Sequence, residues 1–243
     1  MLLAIDVGNT KIKGAVFEGD ALIEKITFDK TELKKNIENI FKAHPKITQS
    51  ILSSVGEDKN ELQLLLKEKS MLTVIDHNSL FPFHNKYATP ATLGIDRMVL
   101  AAGAVLSFPG KNRLVMDAGT CITYDFIDAN NNYFGGAISP GLMMRYEAMH
   151  NFTAKLPLLY PEIPLNYIGD STANSMHSGA VNGLVYEIEG FISRYSEEYK
   201  DLTIILTGGD TEFLAKRLKN TIFANSNFLL ESLNSLYLYK NQK

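Results

Sequence analysis

The stretch LLAIDVGNTKIKGAVF, residues 2–17, decides the fold of this 243-residue chain. Residues 2–5 form a short apolar run, residues 6–10 a polar turn with the sequence DVGNT, and residues 12–17 a second mainly apolar run. Apolar runs of this length on either side of a glycine-containing turn predict two strands of a hairpin. The pattern places Asp6 where the first strand meets the turn.

The same pattern returns further along the chain at Asp117-Ala118-Gly119-Thr120, between apolar runs at 114–116 and 121–126. Glycine lets a backbone turn approach an anion closely, and successive N–H groups can then hold phosphate oxygens. An aspartate cannot bind phosphate, but it can hold a hydrated divalent cation that does. Two copies therefore predict two related half-domains that face one cleft, although ordinary turn chemistry also explains either copy alone.

The bulk composition limits the classes of protein that this chain can belong to. Hydrophobic content of 45% and charged content of 21% are typical of a globular protein. A net charge of −3 with dispersed Lys and Arg argues against a nucleic-acid surface. The single cysteine, Cys121, excludes an internal disulfide and fits a reducing compartment. With no signal-peptide or membrane-spanning pattern, the sequence predicts a cytoplasmic protein without nucleic-acid or membrane partners.

Periodicity and turn signals predict a mixed α/β chain with a boundary at Pro109-Gly110. The predicted domains are therefore residues 1–110 and 111–243. Strands are predicted at 2–5, 12–17, 21–27, 50–56, 71–75, 114–116, 121–126, 133–138 and 202–206. Helices are predicted at 31–43, 59–69, 94–107, 142–150, 171–199, 210–218 and 228–239, with a long loop at 76–92.

This order of elements, with two glycine-rich turns, resembles the sugar kinase, actin and Hsp70 superfamily. The resemblance implies two ribonuclease H-like (actin-like ATPase) domains related by duplication, with the active site in the cleft between them. It also implies that the two Asp-Gly turns embrace ATP phosphates and Mg²⁺. A P-loop is excluded, because no Gly-x-x-x-x-Gly-Lys-Ser/Thr occurs.

A closer resemblance rests on several short motifs that occur in order along nearly the whole chain. They are Asp6-Val7-Gly8-Asn9-Thr10, Gly94-Ile95-Asp96-Arg97, Asp117-Ala118-Gly119-Thr120, Gly135-Gly136-Ala137-Ile138-Ser139-Pro140-Gly141, Thr153-Ala154-Lys155-Leu156-Pro157 and Thr207-Gly208-Gly209-Asp210. Together they resemble the type III pantothenate kinases. The resemblance implies transfer of the γ-phosphoryl of ATP to the 4′-hydroxyl of pantothenate, the first step of coenzyme A biosynthesis. It further implies a homodimer that needs K⁺ or NH₄⁺.

Asp96 is the candidate catalytic residue. A primary hydroxyl that attacks phosphorus needs a nearby carboxylate to accept its proton. On the residues alone, an aspartate in the first turn of a helix, favoured by the helix dipole, is the better explanation. The matching Gly-x-Asp-Arg motif implies that Asp96 is the general base. Arg97 has a guanidinium that suits a carboxylate or phosphate, or else an ordinary ion pair.

The resemblance also implies the remaining site residues. Those for ATP and its phosphates are Asp6, Val7, Gly8, Asn9, Thr10, Lys11, Ile12, Lys13 and Thr120. Those for pantothenate are Tyr87, Gly94, Ile95, Asp96, Arg97 and Thr172. Thr172 is reached across the dimer in the family, and a helix N-cap is its alternative role. Lys11 and Lys13 are expected on one strand and one face, with only one of them needed at ATP.

Two aspartates are expected to hold different ions. Asp6 is expected to hold Mg²⁺, directly or through water, whereas Asp117 matches the family position for the monovalent cation. A second Mg²⁺ or a simple turn residue stays open for Asp117. Asp125 reads as a solvent-exposed strand residue. Near Tyr87 the chain departs from the family, with Thr89-Pro90 where Asn-Pro is frequent, which leaves the fine contacts of this loop open.

Two other functions remain compatible with the sequence. One is another small-molecule kinase of the superfamily, such as an acetate or sugar kinase. The other is a regulatory relative that kept the fold and lost catalysis. The joint presence of Asp6, Asp96 and Asp117 favours an active enzyme, and the resemblance implies that it is an ATP:pantothenate 4′-phosphotransferase.

Overall fold

The computed structural model describes residues 1–8, 11–54 and 59–241, which form two compact units. Unit 1 comprises the described parts of Met1–Pro109, Asn131–Tyr133 and Asn227–Lys243. Unit 2 comprises Gly110–Asn130 and Phe134–Ser226.

Strands and helices alternate along the described residues. The strands are β1 (Leu2–Val7), β2 (Ile12–Glu18), β3 (Ala21–Phe28), β4 (Gln49–Ser54), β5 (Met71–Val74), β6 (His84–Asn85), β7 (Asn112–Ala118), β8 (Cys121–Ile127), β9 (Asn132–Pro140), β10 (Leu202–Thr207) and β11 (Phe223–Ala224). The helices are α1 (Leu33–Ala43), α2 (Lys59–Lys69), α3 (Ile95–Ser107), α4 (Leu142–Asn151), α5 (Thr172–His177), α6 (Gly183–Glu198), α7 (Thr211–Ala215) and α8 (Phe228–Asn241). The predicted strand β1, hairpin partner β2 and helix α2 are confirmed, while the short strands β6 and β11 were not predicted.

The two units repeat one strand order. Unit 1 has the order β3-β2-β1-β4-β5, and unit 2 has β9-β8-β7-β10-β11. In each, the central strand pairs antiparallel with the strand after it and parallel with the strand that follows a helix. The predicted duplication is therefore confirmed at the level of topology. The short strand β6 pairs with Asn132 and Tyr133, the first residues of β9, within unit 1.

The core of unit 1 is built on β1, in which every residue is buried. A strand paired on both edges and covered on both faces reads as a continuous apolar run, which is why residues 2–5 show no alternation. Helix α1 adds Leu33, Ile37 and Ile40, three buried residues at helical spacing.

The C-terminal helix corrects the predicted domain boundary. The prediction assigned all of 111–243 to the second domain, but α8 belongs to unit 1 and packs on α3. A Cβ added at Gly103 would lie 1.8 Å from Ser232 Oγ, so the glycine allows the two helices to come close. Asn234 Nδ2 also donates to the carbonyl oxygen of Gly19 at 3.0 Å. Contacts between segments so distant in sequence leave no local signal.

Unit 2 packs one long helical segment against its sheet. Residues 171–199 were predicted as one helical stretch, and the structure shows α5 and α6 joined by a π-helical turn at Ser178–Asn182. Met176, Val181, Leu184 and Ile188 are buried with the strand residues of this unit. Over the described residues, no helix combines the length and apolar character that crossing a membrane requires.

Candidate active site

Asp6 lies near the end of β1 and stands between two polar residues of the neighbouring strands. The register pairs it with Lys13 of β2 and with Ser53 of β4. Ser53 Oγ donates a hydrogen bond of 2.6 Å to Asp6 Oδ1. Gly8 N–H donates to the carbonyl oxygen of Lys11 at 3.1 Å and closes the turn. The predicted phosphate residues Asn9 and Thr10 lie outside the described residues.

The carboxylate of Asp6 is buried, and its electrostatic surroundings are unusual. Burial raises its pKa to about 6, the hydrogen bond from Ser53 lowers it, the charge of Asp96 raises it, and that of Lys13 lowers it. Because the charge of Asp96 acts on Asp6, the two aspartates lie near each other within unit 1. A buried carboxylate with a half-buried one nearby is an environment that a bound cation would relieve.

Asp96 lies in the first turn of α3, two residues after Gly94, the N-cap of the helix and the glycine of its motif. Asp96 Oδ1 accepts a hydrogen bond of 2.9 Å from the backbone N–H of Arg97. A Cβ at Gly94 would lie 2.4 Å from that same oxygen. The carboxylate therefore folds back over the helix start, where only glycine leaves room for it. Its position satisfies the helix-dipole explanation and the catalytic one together.

Arg97 and Tyr87 form a pair beside Asp96. Arg97 is 6% exposed, and its Cζ lies 5.7 Å from the centre of the Tyr87 ring, within range of a cation–π interaction. The Tyr87 ring centre lies 6.3 Å from that of Tyr133. The backbone N–H of Tyr87 donates to Asn85 Oδ1 at 3.0 Å. The loop is thus held in place despite its lack of sequence periodicity.

The predicted shared face of the two turn lysines is wrong. Lys11 precedes β2, which begins at Ile12, so strand alternation does not relate it to Lys13. Lys11 is exposed, whereas Lys13 is half-buried and paired in register with Asp6. Lys13 is therefore the lysine whose charge acts on the site.

The second turn, in unit 2, repeats the first one with different neighbours. Asp117 is paired in register with Thr123 of β8 and Thr207 of β10. The hydroxyl oxygens of both threonines are buried and have no hydrogen-bond partner among the residues that the structure describes. Gly119 N–H donates to the carbonyl oxygen of Cys121 at 2.9 Å and closes this turn, and Thr120 is exposed at its tip.

Gly208 lies against this turn in a conformation that favours glycine. Its φ is +100°, and an added Cβ would lie 2.3 Å from the carbonyl oxygen of Ala118 and 2.4 Å from Asp117 Oδ1. The backbone N–H of Asp210 donates to the same Ala118 oxygen at 3.0 Å. Burial raises the pKa of Asp210.

Two sequence-based readings in unit 2 change. Asp125 is fully buried, so the prediction of an exposed strand residue is wrong. For Thr172, the alternative of a helix N-cap is excluded, because Ser171 is the N-cap and its Oγ accepts from the backbone N–H of Asn174 at 3.2 Å. Thr172 is exposed at the start of α5.

The described candidates are divided between the two units. Unit 1 holds Asp6, Lys13, Asp96, Arg97 and Tyr87, and unit 2 holds Asp117, Thr120 and Thr172. Sequence reasoning missed Ser53, Thr123 and Thr207, whose only local signal is a polar residue near a strand end. Among the described residues, no three or more His, Cys, Asp and Glu side chains converge as a metal cluster.

The fold and the two turns define the class of protein. A solved ROK-family glucokinase from Streptomyces griseus, in complex with glucose and AMPPNP, aligns with a TM-score of 0.52 over 97% of this chain and 98% of its own, at 11% identity. A Baf-family transcriptional activator from Campylobacter jejuni aligns with a TM-score of 0.67 over 99% and 100%, at 20% identity. At these identities the likeness shows the actin-like, sugar-kinase fold alone.

The sequence comparisons identify the family. The profile of the type III pantothenate kinase family matches residues 2–194. A type III pantothenate kinase from Flavobacterium johnsoniae is 61% identical over 99% of this chain and 98% of its own length. The chain therefore belongs to the type III pantothenate kinase family, and the resemblance found in its motifs is confirmed.

Proposed function

We propose that this protein transfers the γ-phosphoryl group of ATP to the 4′-hydroxyl of pantothenate, at the first step of coenzyme A biosynthesis. One observation carries the proposal. The family match at residues 2–194 includes every candidate site residue, from Asp6 to Thr172. The repulsion between Asp6 and Asp96 supports it from the structure, because it joins the expected nucleotide turn to the expected general base in one site.

In the proposed reaction, Asp96 accepts the proton of the 4′-hydroxyl as the oxygen attacks the γ-phosphorus. The backbone N–H of Arg97 donates to Asp96 Oδ1 and holds the carboxylate at the start of α3. Phosphoryl transfer depends chiefly on positioning and charge stabilisation, so a fixed carboxylate suits this step.

Arg97, Tyr87 and Thr172 are proposed to bind pantothenate, together with the backbone of Gly94 and Ile95. Stacking over Tyr87 holds the buried guanidinium of Arg97, whose planar fork matches the carboxylate of pantothenate.

Each of the two turns is proposed to contact the nucleotide. In unit 1 its contacts are Asp6, Val7, Gly8, Asn9, Thr10, Lys11, Ile12 and Lys13, and in unit 2 Thr120. Asp6 would hold Mg²⁺, which offsets phosphate charge when bound, and a buried carboxylate with a raised pKa beside a second one fits a cation. Lys13 supplies the positive side chain of this group.

A monovalent cation, K⁺ or NH₄⁺, is proposed at Asp117. The residues present fit it, because Asp117 is paired across the sheet with Thr123 and Thr207. The hydroxyl oxygens of these threonines are buried and lack hydrogen-bond partners in the described part of the chain. Buried polar atoms without partners call for an ion or water. One negative charge with neutral oxygens suits a singly charged ion better than a second Mg²⁺.

A homodimer is proposed from an apolar surface in unit 2, the connection between α4 and α5. Phe152 is 88% exposed, Leu165 94% and Tyr167 74%. A large exposed apolar patch marks an interaction site, and a second copy would cover it while bringing Thr172 towards its active site. Leu165→Glu should give a monomer in sedimentation experiments, and an intact dimer would contradict this interface.

The central experiment follows ATP-dependent phosphorylation of pantothenate in K⁺ and in Na⁺ alone, with wild type and Asp96→Asn. Wild type should be active in K⁺, and the variant should lose roughly 10²–10⁴-fold in kcat.

Acetate and sugars serve as competing acceptors. Activity on one of those and none on pantothenate would overturn the substrate, and no activity on any would favour a regulatory relative. An unaffected Asp96→Asn would overturn the mechanism alone. The cytoplasmic location stays a prediction from the sequence.

A further inference from the structure

Glu187 of α6 is the centre of a polar cluster in unit 2 that no step of the proposed reaction uses. Its Oε1 accepts hydrogen bonds from Tyr124 Oη at 2.8 Å and from Ser139 Oγ at 2.5 Å. Its Oε2 accepts one from Arg145 Nη2 at 2.5 Å. The side chains of Arg145 and Glu187 are only 20% and 26% exposed. A charged pair with so little exposure, whose carboxylate also accepts from two hydroxyl groups, fixes its side chains far more firmly than a surface ion pair does.

The cluster stabilises the charged form of the carboxylate. Burial raises the pKa of Glu187, but the hydrogen bonds from Ser139, Arg145 and Tyr124 together outweigh it and leave the pKa below its usual value. Burial, followed by the hydrogen bond with Glu187, raises the pKa of Tyr124, which keeps its proton. Glu187 is therefore an anion that accepts from three donors at neutral pH.

A short path of contacts leads from this cluster to the turn at Gly119-Thr120. Arg145 Nε donates to the carbonyl oxygen of Pro140 at 3.0 Å, at the end of β9. The next residue, Gly141, donates its backbone N–H to the carbonyl oxygen of Thr120 at 3.1 Å. A Cβ at Gly141 would lie 2.1 Å from the Gly119 oxygen and 2.5 Å from the Thr120 oxygen. The end of β9 thus presses backbone to backbone on the turn.

We propose that Glu187 is a positioning residue for the nucleotide, which acts through Ser139 and Arg145 to hold Gly141 against the Gly119-Thr120 turn. The inference rests on the proposed contact of Thr120 with ATP. The cluster then does more than join α6 to β9. The carboxylate fixes Ser139 directly and Pro140 through Arg145, and these two residues immediately precede the glycine that touches the turn.

The decisive variant is Glu187→Gln, which keeps the side-chain volume. Its amide has one acceptor oxygen and one NH₂ group, so it cannot accept from Ser139, Tyr124 and Arg145 as the carboxylate does. The KM for ATP should rise roughly tenfold, since small displacements of a binding group have effects of this size or more. The KM for pantothenate and kcat at saturating ATP should stay near wild type. A purely structural role would lower Tm without this selective change.

The matched control is Glu189→Gln, two residues further along α6. Glu189 Oε1 accepts from the backbone N–H of Lys219 at 3.3 Å, away from β9 and the turn. This control removes the same charge from the same helix and should leave the KM for ATP unchanged. An equal rise in both variants would show a general effect of charge and would overturn the proposal.

Binding of AMPPNP, measured by calorimetry, separates this inference from the proposed function because it needs no acceptor. If wild type fails on pantothenate but Glu187→Gln weakens AMPPNP binding, the proposed function fails and the positioning role stands. Unchanged KM and unchanged AMPPNP binding in a folded Glu187→Gln overturn the role. If that variant does not fold, Ser139→Ala decides, because it removes one donor and should weaken AMPPNP binding to a smaller degree, with no change counting against the proposal.

Discussion

Replacing Asp6 by Asn should make the ligand-free protein more stable while it weakens Mg²⁺–ATP binding. Burial raises the pKa of Asp6 from 3.8 to about 6, despite the hydrogen bond from Ser53. The folded state therefore holds this proton more tightly than the unfolded state does. The charge of Asp6 is a cost to folding at neutral pH, which a bound cation would remove.

The size and the pH window of the effect follow from this difference. Below about pH 3.8 the carboxyl is neutral in both states, and Asp6 costs nothing. As pH rises towards about 6, the unfolded chain loses the proton first, so wild-type stability falls. Above that pH the cost is constant, at about 3 kcal/mol from 1.36 kcal/mol per pKa unit. For a chain of this length, Asp6→Asn should raise Tm by up to roughly 6–12 °C at pH 7.

The assay is denaturant and thermal unfolding of the ligand-free protein between pH 4 and pH 8. Asp20→Asn is the control, because Asp20 is exposed in the β2–β3 turn of the same unit. It should change stability little at any pH. The reasoning is refuted if Asp6→Asn destabilises the protein at pH 7, or if it stabilises equally at pH 4 and pH 7. Either result would mean that the buried charge of Asp6 is not a cost to the fold.

Three further substitutions test other parts of the site. Thr207→Val keeps the side-chain shape and removes a buried oxygen, so the K⁺ concentration for half-maximal activity should rise roughly tenfold, equivalent to about 1.4 kcal/mol, without loss of Tm. Arg97→Lys keeps the charge but loses the fork and the stacking over Tyr87, so the KM for pantothenate should rise by roughly 10–100-fold in steady-state assays. Gly208→Ala meets a backbone carbonyl oxygen at 2.3 Å with φ at +100°, and should lower the free energy of unfolding by at least about 2 kcal/mol.

Each of these has an outcome that would contradict it. An unchanged K⁺ response in Thr207→Val would remove that hydroxyl from the cation site. A rise in the KM for ATP alone would move Arg97 from pantothenate to the nucleotide. For the glycine, Gly209→Ala is the matched control, since an added Cβ there meets nothing within 4 Å. Equal destabilisation in Gly208→Ala and Gly209→Ala would show that the close approach is unimportant.

Local patterns predicted the elements well where one face or one run dominates. The apolar run of β1 and the helical spacing of Leu33, Ile37 and Ile40 both correspond to observed elements. In both cases the residues whose burial stabilises the element lie close together in the sequence. The family-specific motifs then added the expected site residues, which composition and periodicity alone left open.

Non-local contacts account for what the sequence did not predict. Ser53 reaches Asp6 because β4 pairs parallel with β1, and no turn or spacing announces that register. Asp125 alternates with the buried Tyr124, so the strand pattern indicated an exposed face, but both faces of this strand are covered. The place of α8 depends on the close fit of Gly103 to Ser232, residues far apart in the chain.

The duplicated turns suggest how one backbone arrangement could serve the two ions that we propose. Each aspartate lies near the end of the central strand of its sheet. In both units this strand has an antiparallel neighbour on one side and a parallel neighbour on the other. In unit 1 the flanking positions hold Lys13, a positive charge, and Ser53, a donor already used by Asp6.

In unit 2 the corresponding positions, paired with Asp117, hold Thr123 and Thr207. Their neutral hydroxyl groups have no hydrogen-bond partner over the described residues. In unit 1, the cationic Lys13 is paired with the buried carboxylate of Asp6, near Asp96. This combination suits a phosphate and its divalent ion. At the corresponding place, unit 2 offers several oxygens and one negative charge, which suits a bare monovalent cation. A difference in side chains at two register positions is therefore sufficient to separate the roles that we propose for Asp6 and Asp117.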